Sequence, residues 1–193
     1  EGLIPVNMFY VSQSLTENLS TEAFYQLEWD QTVADNCGTF FSQPDVIADG
    51  CDNNLAVLRT RNGVNSSLAA AGLPAGARNA VLNTLAARGV NWGNPDEGAI
   101  VRRGPDRDAR DSGQFGVSFK YMFEPLDTEF GAYFMNYHSR APIFSATGAP
   151  PSVFAGLSAL PAQLRALAPL IVAGNSEYFV EYPEDIRLYG LSF

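Results

Sequence analysis

Read only for apolar and polar positions, the chain alternates two textures. Stretches with a two-residue period and many aromatics come in pairs, and long Gly/Pro/Asn-rich or Ala-rich excursions separate them. In Thr21-Glu22-Ala23-Phe24-Tyr25-Gln26-Leu27-Glu28-Trp29-Asp30 the odd positions Ala23, Tyr25, Leu27 and Trp29 are apolar. Glu22, Gln26, Glu28 and Asp30 are polar, with Phe24 the exception. Strand side chains alternate between the two faces of a sheet, so this period marks strands with unlike faces. From Gln114 to Phe123 the pattern repeats: Phe115, Val117, Phe119, Tyr121 and Phe123 on one side, Ser118 and Lys120 on the other.

These patterns place a first hairpin from about Ile4 to Ser14, a turn through 15–20, and a return from Thr21 to about Val33. A second hairpin rises from Gln114 to Phe123, turns through Pro125-Leu126-Asp127-Thr128, and returns from Glu129 to about Ser139. A last strand is expected from Tyr178 to Phe193. Residues 34–112 form one long excursion with a helix from about Ala75 to Arg88. There Ala77, Val81, Leu85 and Arg88 mark a stripe, Pro74 suits the start and Gly89 the stop. Residues 141–176 form a second, with an apolar helix carrying Leu160, Leu164, Leu167, Ala168 and Ile171. Pro169 is expected to kink or shorten it.

Short turns at one end of a sheet and long loops at the other are how a transmembrane β-barrel is built. The expected strands of roughly 10–13 residues suit a tilted membrane strand and exceed the soluble mean of ~5–6. The expected fold class is therefore all-β, part of an antiparallel transmembrane β-barrel. One partial-barrel domain spans 1–193, and 34–112 and 141–176 are its long extracellular loops with short helices. Tyr25, Leu27, Trp29, Phe115, Val117, Phe119 and Tyr121 are expected to face lipid, and Glu22, Gln26, Glu28, Ser118 and Lys120 the lumen. Five strands cannot close a barrel, since the smallest use about eight. The chain opens on Glu1-Gly2-Leu3-Ile4-Pro5 as if in mid-strand, without a secretory signal, and stops inside an alternating run. A fragment of a longer barrel is expected.

Composition changes this picture little but excludes some alternatives. Charged residues are 17% of the chain and aromatics 12%, against about 25% charged in average soluble domains. Mean hydropathy is −0.06, and no run approaches the ~18–20 apolar residues of a membrane helix. Embedding without overall hydrophobicity requires alternation. The net charge of −9 leaves no basic stripe to neutralise phosphates, so nucleic acid is not an expected partner.

Cys37 and Cys51 lie close together in a polar, helix-poor segment. A local disulfide suits that context and an oxidising compartment; two free, buried thiols are the alternative. Closing such a loop removes roughly 3 kcal/mol of unfolded-state entropy.

A family resemblance rests on particular stretches. They are Phe9-Tyr10 with Leu15 through Trp29, Asp111-Ser112-Gly113-Gln114-Phe115-Gly116, and Asp127 through Gly131 with Met135-Asn136-Tyr137-His138-Ser139-Arg140. Tyr178 through Ile186 and Leu188-Tyr189-Gly190-Leu191-Ser192-Phe193 complete the set. Together they resemble a proteobacterial outer-membrane family catalogued as domain of unknown function 1302. The two long loops carry the resemblance less well. It implies a large barrel, longer than this chain, in the outer membrane of a Gram-negative bacterium. It further implies contact with outer-membrane lipid and lipopolysaccharide, partners among envelope lipoproteins and transporters, and export or uptake of hydrophobic molecules or envelope lipids. It supplies no catalytic residues.

Candidate chemistry is sparse. His138 is the single histidine, and Asn136, His138 and Ser139 invite comparison with outer-membrane phospholipases that use Ser, His and Asn. In a strand Asn136 and His138 share a face while Ser139 points away, so a rim or lumen histidine in a polar network is expected instead of an enzyme. No metal or cofactor is expected, because Asp106, Asp108 and Asp111 alternate with arginines that would pair with them. The Arg102 to Asp111 cluster could bind lipopolysaccharide phosphates, line a constriction, or form a self-neutralised loop. Asn18-Leu19-Ser20 and Asn65-Ser66-Ser67 match the glycosylation pattern without a bacterial use for it. Leu160, Leu164, Leu167 and Ile171 must bury somewhere: as a substrate-entrance helix at the mouth, lumen or lipid, or against the other long loop. Two function classes stand: a porin-like channel for hydrophobic or amphipathic molecules, and a structural or adhesive envelope protein. A soluble all-β binding domain is a distant third.

Overall fold

The computed structural model describes residues 4–40, 45–48, 50–51 and 55–193; the side chain of Gln163 is not described. The opening Glu1-Gly2-Leu3 lies outside the described residues. In chain order the elements are β1 (Met8–Ser14), β2 (Leu19–Gln26), β3 (Ala56–Val57), α1 (Arg61–Ala70), α2 (Ala75–Ala87), β4 (Ala99–Ile100), β5 (Arg102–Arg103), β6 (Phe115–Phe123) and β7 (Thr128–Tyr137). Then come β8 (Ile143–Thr147), α3 (Pro151–Ser158), α4 (Ala168–Gly174), β9 (Glu177–Glu181) and β10 (Ile186–Ser192). The chain divides into two units: Glu1–Val33 with Arg107–Ile143 and Glu181–Phe193, and Ala34–Asp106 with Phe144–Val180.

The first unit is built on an antiparallel five-stranded sheet ordered β1-β2-β6-β7-β10. Its register pairs Tyr25 with Phe115, Ala23 with Val117 and Glu22 with Ser118, then Val117 with Phe134 and Lys120 with Gly131. Tyr133 pairs with Gly190 and Phe134 with Tyr189. The two-residue period therefore stays in phase across the sheet. Phe9, Val11, Tyr25, Phe115, Val117 and Phe119 share one face, continued by Tyr121, Phe130, Phe134, Tyr189 and Leu191. Ser12, Glu22, Gln26, Ser118, Lys120 and Ser192 share the other. Both short turns lie at one end. The β6–β7 turn is a 3₁₀ turn over Glu124–Leu126 closed by left-handed Asp127, and the Asn18 amide of the β1–β2 turn donates to the Glu124 carboxylate (3.1 Å).

Two strand boundaries differ from expectation. β2 stops at Gln26 and does not continue to Val33, because side chains take over the backbone donors. The Asn7 N–H donates to the Glu28 carboxylate (2.7 Å) and the Trp29 N–H to Asp111 (3.0 Å). The last cross-strand backbone bond runs from the Leu27 N–H to the Asn7 carbonyl (2.9 Å); Glu28 and Trp29 lie beyond it, and sheet register assigns them no face. The single C-terminal strand expected from Tyr178 to Phe193 is two strands in different sheets. Pro183 and left-handed Asp185 (φ 56°) interrupt it, and β9 instead pairs in parallel with β5.

The second unit gathers its apolar side chains into one core: Val64, Leu82, Leu85, Val90, Ala99, Leu160, Leu167, Leu170 and Ile171. α1 lies in the first long excursion, ahead of the one helix expected there. Thr60 caps it, its hydroxyl accepting from the Gly63 N–H (2.8 Å). The helix expected over 160–171 is broken into a 3₁₀ segment over Ala162–Leu167 and α4. Pro169 sits in the first turn of α4, where its missing N–H costs nothing, so the expected helix is shortened to one that starts there. Cys37 and Cys51 form a disulfide with Cα atoms 5.4 Å apart. Among the described residues no helix is long and apolar enough to cross a membrane.

Candidate functional site

The polar face of the five-stranded sheet combines small and charged side chains with methionines and aromatic rings, two of which lie over glycines. Lys120 reaches Glu22 across strands at 3.5 Å, both partly exposed. Phe24 stands opposite Gly116, and a Cβ on Gly116 would lie 2.9 Å from the ring Cζ. Tyr133 stands opposite Gly190 and also covers Gly131, where a Cβ would lie 2.9 Å from the ring Cε2. The ring hydroxyl meets Ser192 Oγ at 3.2 Å. The glycines supply the space that lets these rings lie against the backbone. The register brings together four of the expected polar-face residues, Glu22, Gln26, Ser118 and Lys120.

At the end of the sheet away from the short turns, a polar knot joins β6, β7 and the segment before β10. Arg110 grips Asp185 at 2.6 and 2.7 Å and also pairs with Glu184. Asn136 donates to the Gly113 carbonyl (2.8 Å) and to Asp185 (2.9 Å). The Arg110 hydrogen bond holds the Asp185 carboxyl below the usual carboxylate range, with Asn136 adding to it, and Asp185 pushes Arg110 upward in turn. His138 is buried; its Nδ1 accepts from the Asp185 N–H (3.0 Å), which leaves Nε2 to donate to the Ser112 carbonyl (2.9 Å). Both ring nitrogens are committed to the main chain. Ser139 Oγ donates to the Ala141 carbonyl, so Asn136, His138 and Ser139 do not assemble as a nucleophile and base. Trp29 closes this region, its indole N–H donating to the Ser139 carbonyl (3.1 Å) and its ring edge-on to Tyr182 at 4.8 Å.

The remaining sequence candidates sort clearly. The arginines of the 102–111 cluster face carboxylates, but mostly not their neighbours: Arg102 meets Glu177, Arg107 meets Glu181, and Arg110 meets Glu184 and Asp185. Arg103–Asp106 is a pair within the cluster. Leu160, Leu167 and Ile171 are buried in the core of the second unit and Leu164 packs against it. That core includes Val64, Leu82 and Leu85 of the first long excursion, the packing against the other loop that stood as the alternative. No group of His, Cys, Asp and Glu that could hold a metal occurs among the described residues.

Two cavities open on the polar face. One of about 270 Å³ lies between Glu22, Lys120, Phe24 and Tyr133. The other, about 680 Å³, lies at the knot end, with Met135 shared between them. The larger is lined by Ile4, Pro5, Val6, Met8 and Tyr137, and by Gln114, His138 and Arg140. Sequence reasoning missed Gln114 and Arg140, because nothing in the alternation distinguishes a buried rim amide or a half-buried guanidinium from any other polar position.

A family model described as a protein of unknown function, DUF1302, matches residues 1–193. The chain belongs to the DUF1302 family. No curated protein and no solved structure matches it. The match of this DUF1302 chain takes in both units, the long excursions as well as the five-stranded sheet.

Proposed function

We propose that the five-stranded sheet is part of an outer-membrane β-barrel of a Gram-negative bacterium that passes hydrophobic or amphipathic molecules or envelope lipids. The observation that carries this reading is the unlike character of the sheet's two faces. One presents Phe9, Val11, Tyr25, Phe119, Tyr189 and Leu191, each 40–90% exposed. That much aromatic surface is costly in water and natural in lipid. The other face carries Gly116, Gly131 and Gly190 with serines, which suits the concave side of a closing sheet, where side chains crowd. Strands of 7–10 residues approach the ~9–11 of a tilted membrane strand.

The polar face then lines the lumen, and the apolar strip of Phe24, Tyr133, Met135 and Leu188 within it suits greasy or amphipathic cargo better than ions. Non-enzymatic action fits the commitment of His138 to the main chain. A structural or adhesive role draws support from the second unit, whose disulfide and self-contained core make a sturdy surface module. The two are separated by measuring uptake and efflux of a hydrophobic fluorescent probe in cells with and without the intact protein. Altered flux with heat-modifiable migration on gels supports the channel. Unaltered flux with a normally inserted barrel refutes it in favour of the structural role.

A further inference from the structure

The larger cavity on the polar face differs in charge from the rest of the molecule. The chain carries 21 acidic residues against 12 basic ones, yet among the described residues no acidic side chain lines this cavity. Arg140 does line it. Its guanidinium donates to the Ile4 carbonyl at 3.0 Å, and among the described residues no carboxylate pairs with it. By contrast, Arg102, Arg103, Arg107 and Arg110 each face a carboxylate. A guanidinium has five N–H donors, so most of its donor capacity is left for a ligand.

The second polar group is Gln114, only 1% exposed. Its amide reaches the Glu28 carbonyl and the His138 N–H only at 3.5 Å, the outer limit of a hydrogen bond. A buried amide so weakly satisfied is built to accept another partner. Around these two groups the wall mixes apolar Ile4, Pro5, Val6, Met8 and Met135 with Gln26, Tyr137, His138 and Ser139. A cavity of about 680 Å³ is of small-molecule size, and apolar walls with a few fixed polar groups are the usual form of such sites.

We infer that this cavity binds the head and upper tail of a single-chain amphipathic carboxylate. The carboxylate pairs with Arg140 and accepts from the Gln114 amide, and the alkyl chain lies over Met8, Val6 and Met135 towards the smaller cavity beyond Met135. This specifies the substrate class of the proposed channel, and rests on that reading for its role in passage; binding itself does not require it.

The test is photolabelling of the whole protein in lipid nanodiscs with a diazirine-bearing dodecanoate, followed by peptide mapping. Label is expected on residues 4–8 or 135–141, competed by dodecanoate but not by inorganic phosphate or by dodecyl alcohol. Arg140→Gln should cut labelling about tenfold, the size expected for one lost charge-assisted hydrogen-bonded pair, and Arg140→Lys should retain most of it. Val6→Trp, which fills the cavity without touching the polar groups, should block it as well. Equal labelling by the methyl ester, or undiminished labelling in Arg140→Gln and Val6→Trp, overturns the inference. A heat-modifiable, lipid-inserted protein that takes no label there defeats the pocket and leaves the barrel standing. Correct labelling of protein that never enters lipid defeats the barrel and leaves the pocket.

Discussion

Replacing Phe119 by Arg is the sharpest perturbation of the proposed membrane face. Phe119 is the fifth of nine residues in β6, so about four residues, or ~14 Å of strand, lie on either side of it. With a strand tilt of roughly 40° that is ~10 Å along the bilayer normal, close to the midplane. An arginine facing lipid at that depth costs about 2–4 kcal/mol. On a water-exposed sheet the same change at a 45% exposed position stays within about 0.5 kcal/mol. The control is Ser12→Arg, exposed on the opposite face and directly across from Glu22, which should be close to neutral. Denaturant unfolding in lipid vesicles, followed by Trp29 emission in a Trp92→Phe background, measures both. A loss below about 0.5 kcal/mol for Phe119→Arg, or equal losses for the two variants, refutes the assignment of faces.

Other outcomes follow from the packing and the knot. Leu170→Ala should destabilise the second unit by about 2–5 kcal/mol, because Leu170 is 2% exposed in its core; hydrogen exchange there should rise while β6 and β7 stay protected. Gly116→Val should cost about 1–3 kcal/mol by displacing the Phe24 ring, and the double variant with Phe24→Ala should recover part of the loss in the same unfolding assay. The Asp185 carboxyl is held below its ordinary pKa by Arg110 and Asn136. Its stabilisation is therefore complete above the unfolded value near ~3.9 and lost as pH falls through the lower folded one. Asp185→Asn should reduce thermal stability at pH 7 and flatten the decline on acidification below about pH 4; an unchanged acid limb counts against the knot.

Much of the sheet was legible because period-two alternation survives wherever one face differs from the other. Phe115 to Phe123 and the return to Tyr137 fall where the pattern places them, and so do both short turns. Strand ends were not legible. The stop at Gln26 depends on Glu28 and Asp111 reaching backbone N–H groups contributed from elsewhere in the chain, and the break at Pro183–Asp185 on His138 accepting a main-chain donor. Such donors and acceptors meet only in three dimensions. The helix after Pro74 was visible from its start and stop residues, whereas α1 carries Asn62 and Gly63 in its first turn, residues that weaken any local helix signal. The knot was half visible: its residues stood out, but the pairing of Arg110 with Glu184 and Asp185, 74 and 75 residues away, has no local signal.

The rings resting on glycines bear on a choice that alternation alone leaves open. A one-residue slip between strands turns every side chain to the wrong face and is excluded by hydrophobicity. A slip of two restores the faces and looks nearly as good to any pattern of apolar and polar positions. Here it does not: moving β10 by two against β7 sets Leu188 or Ser192 where Tyr133 now finds Gly190. Moving β6 by two against β2 sets Gln114 or Ser118 where Phe24 finds Gly116. Each occupied glycine acts as a notch that a single ring fits, so the sheet is indexed at two separate seams, and a misaligned strand meets a steric stop before it can settle.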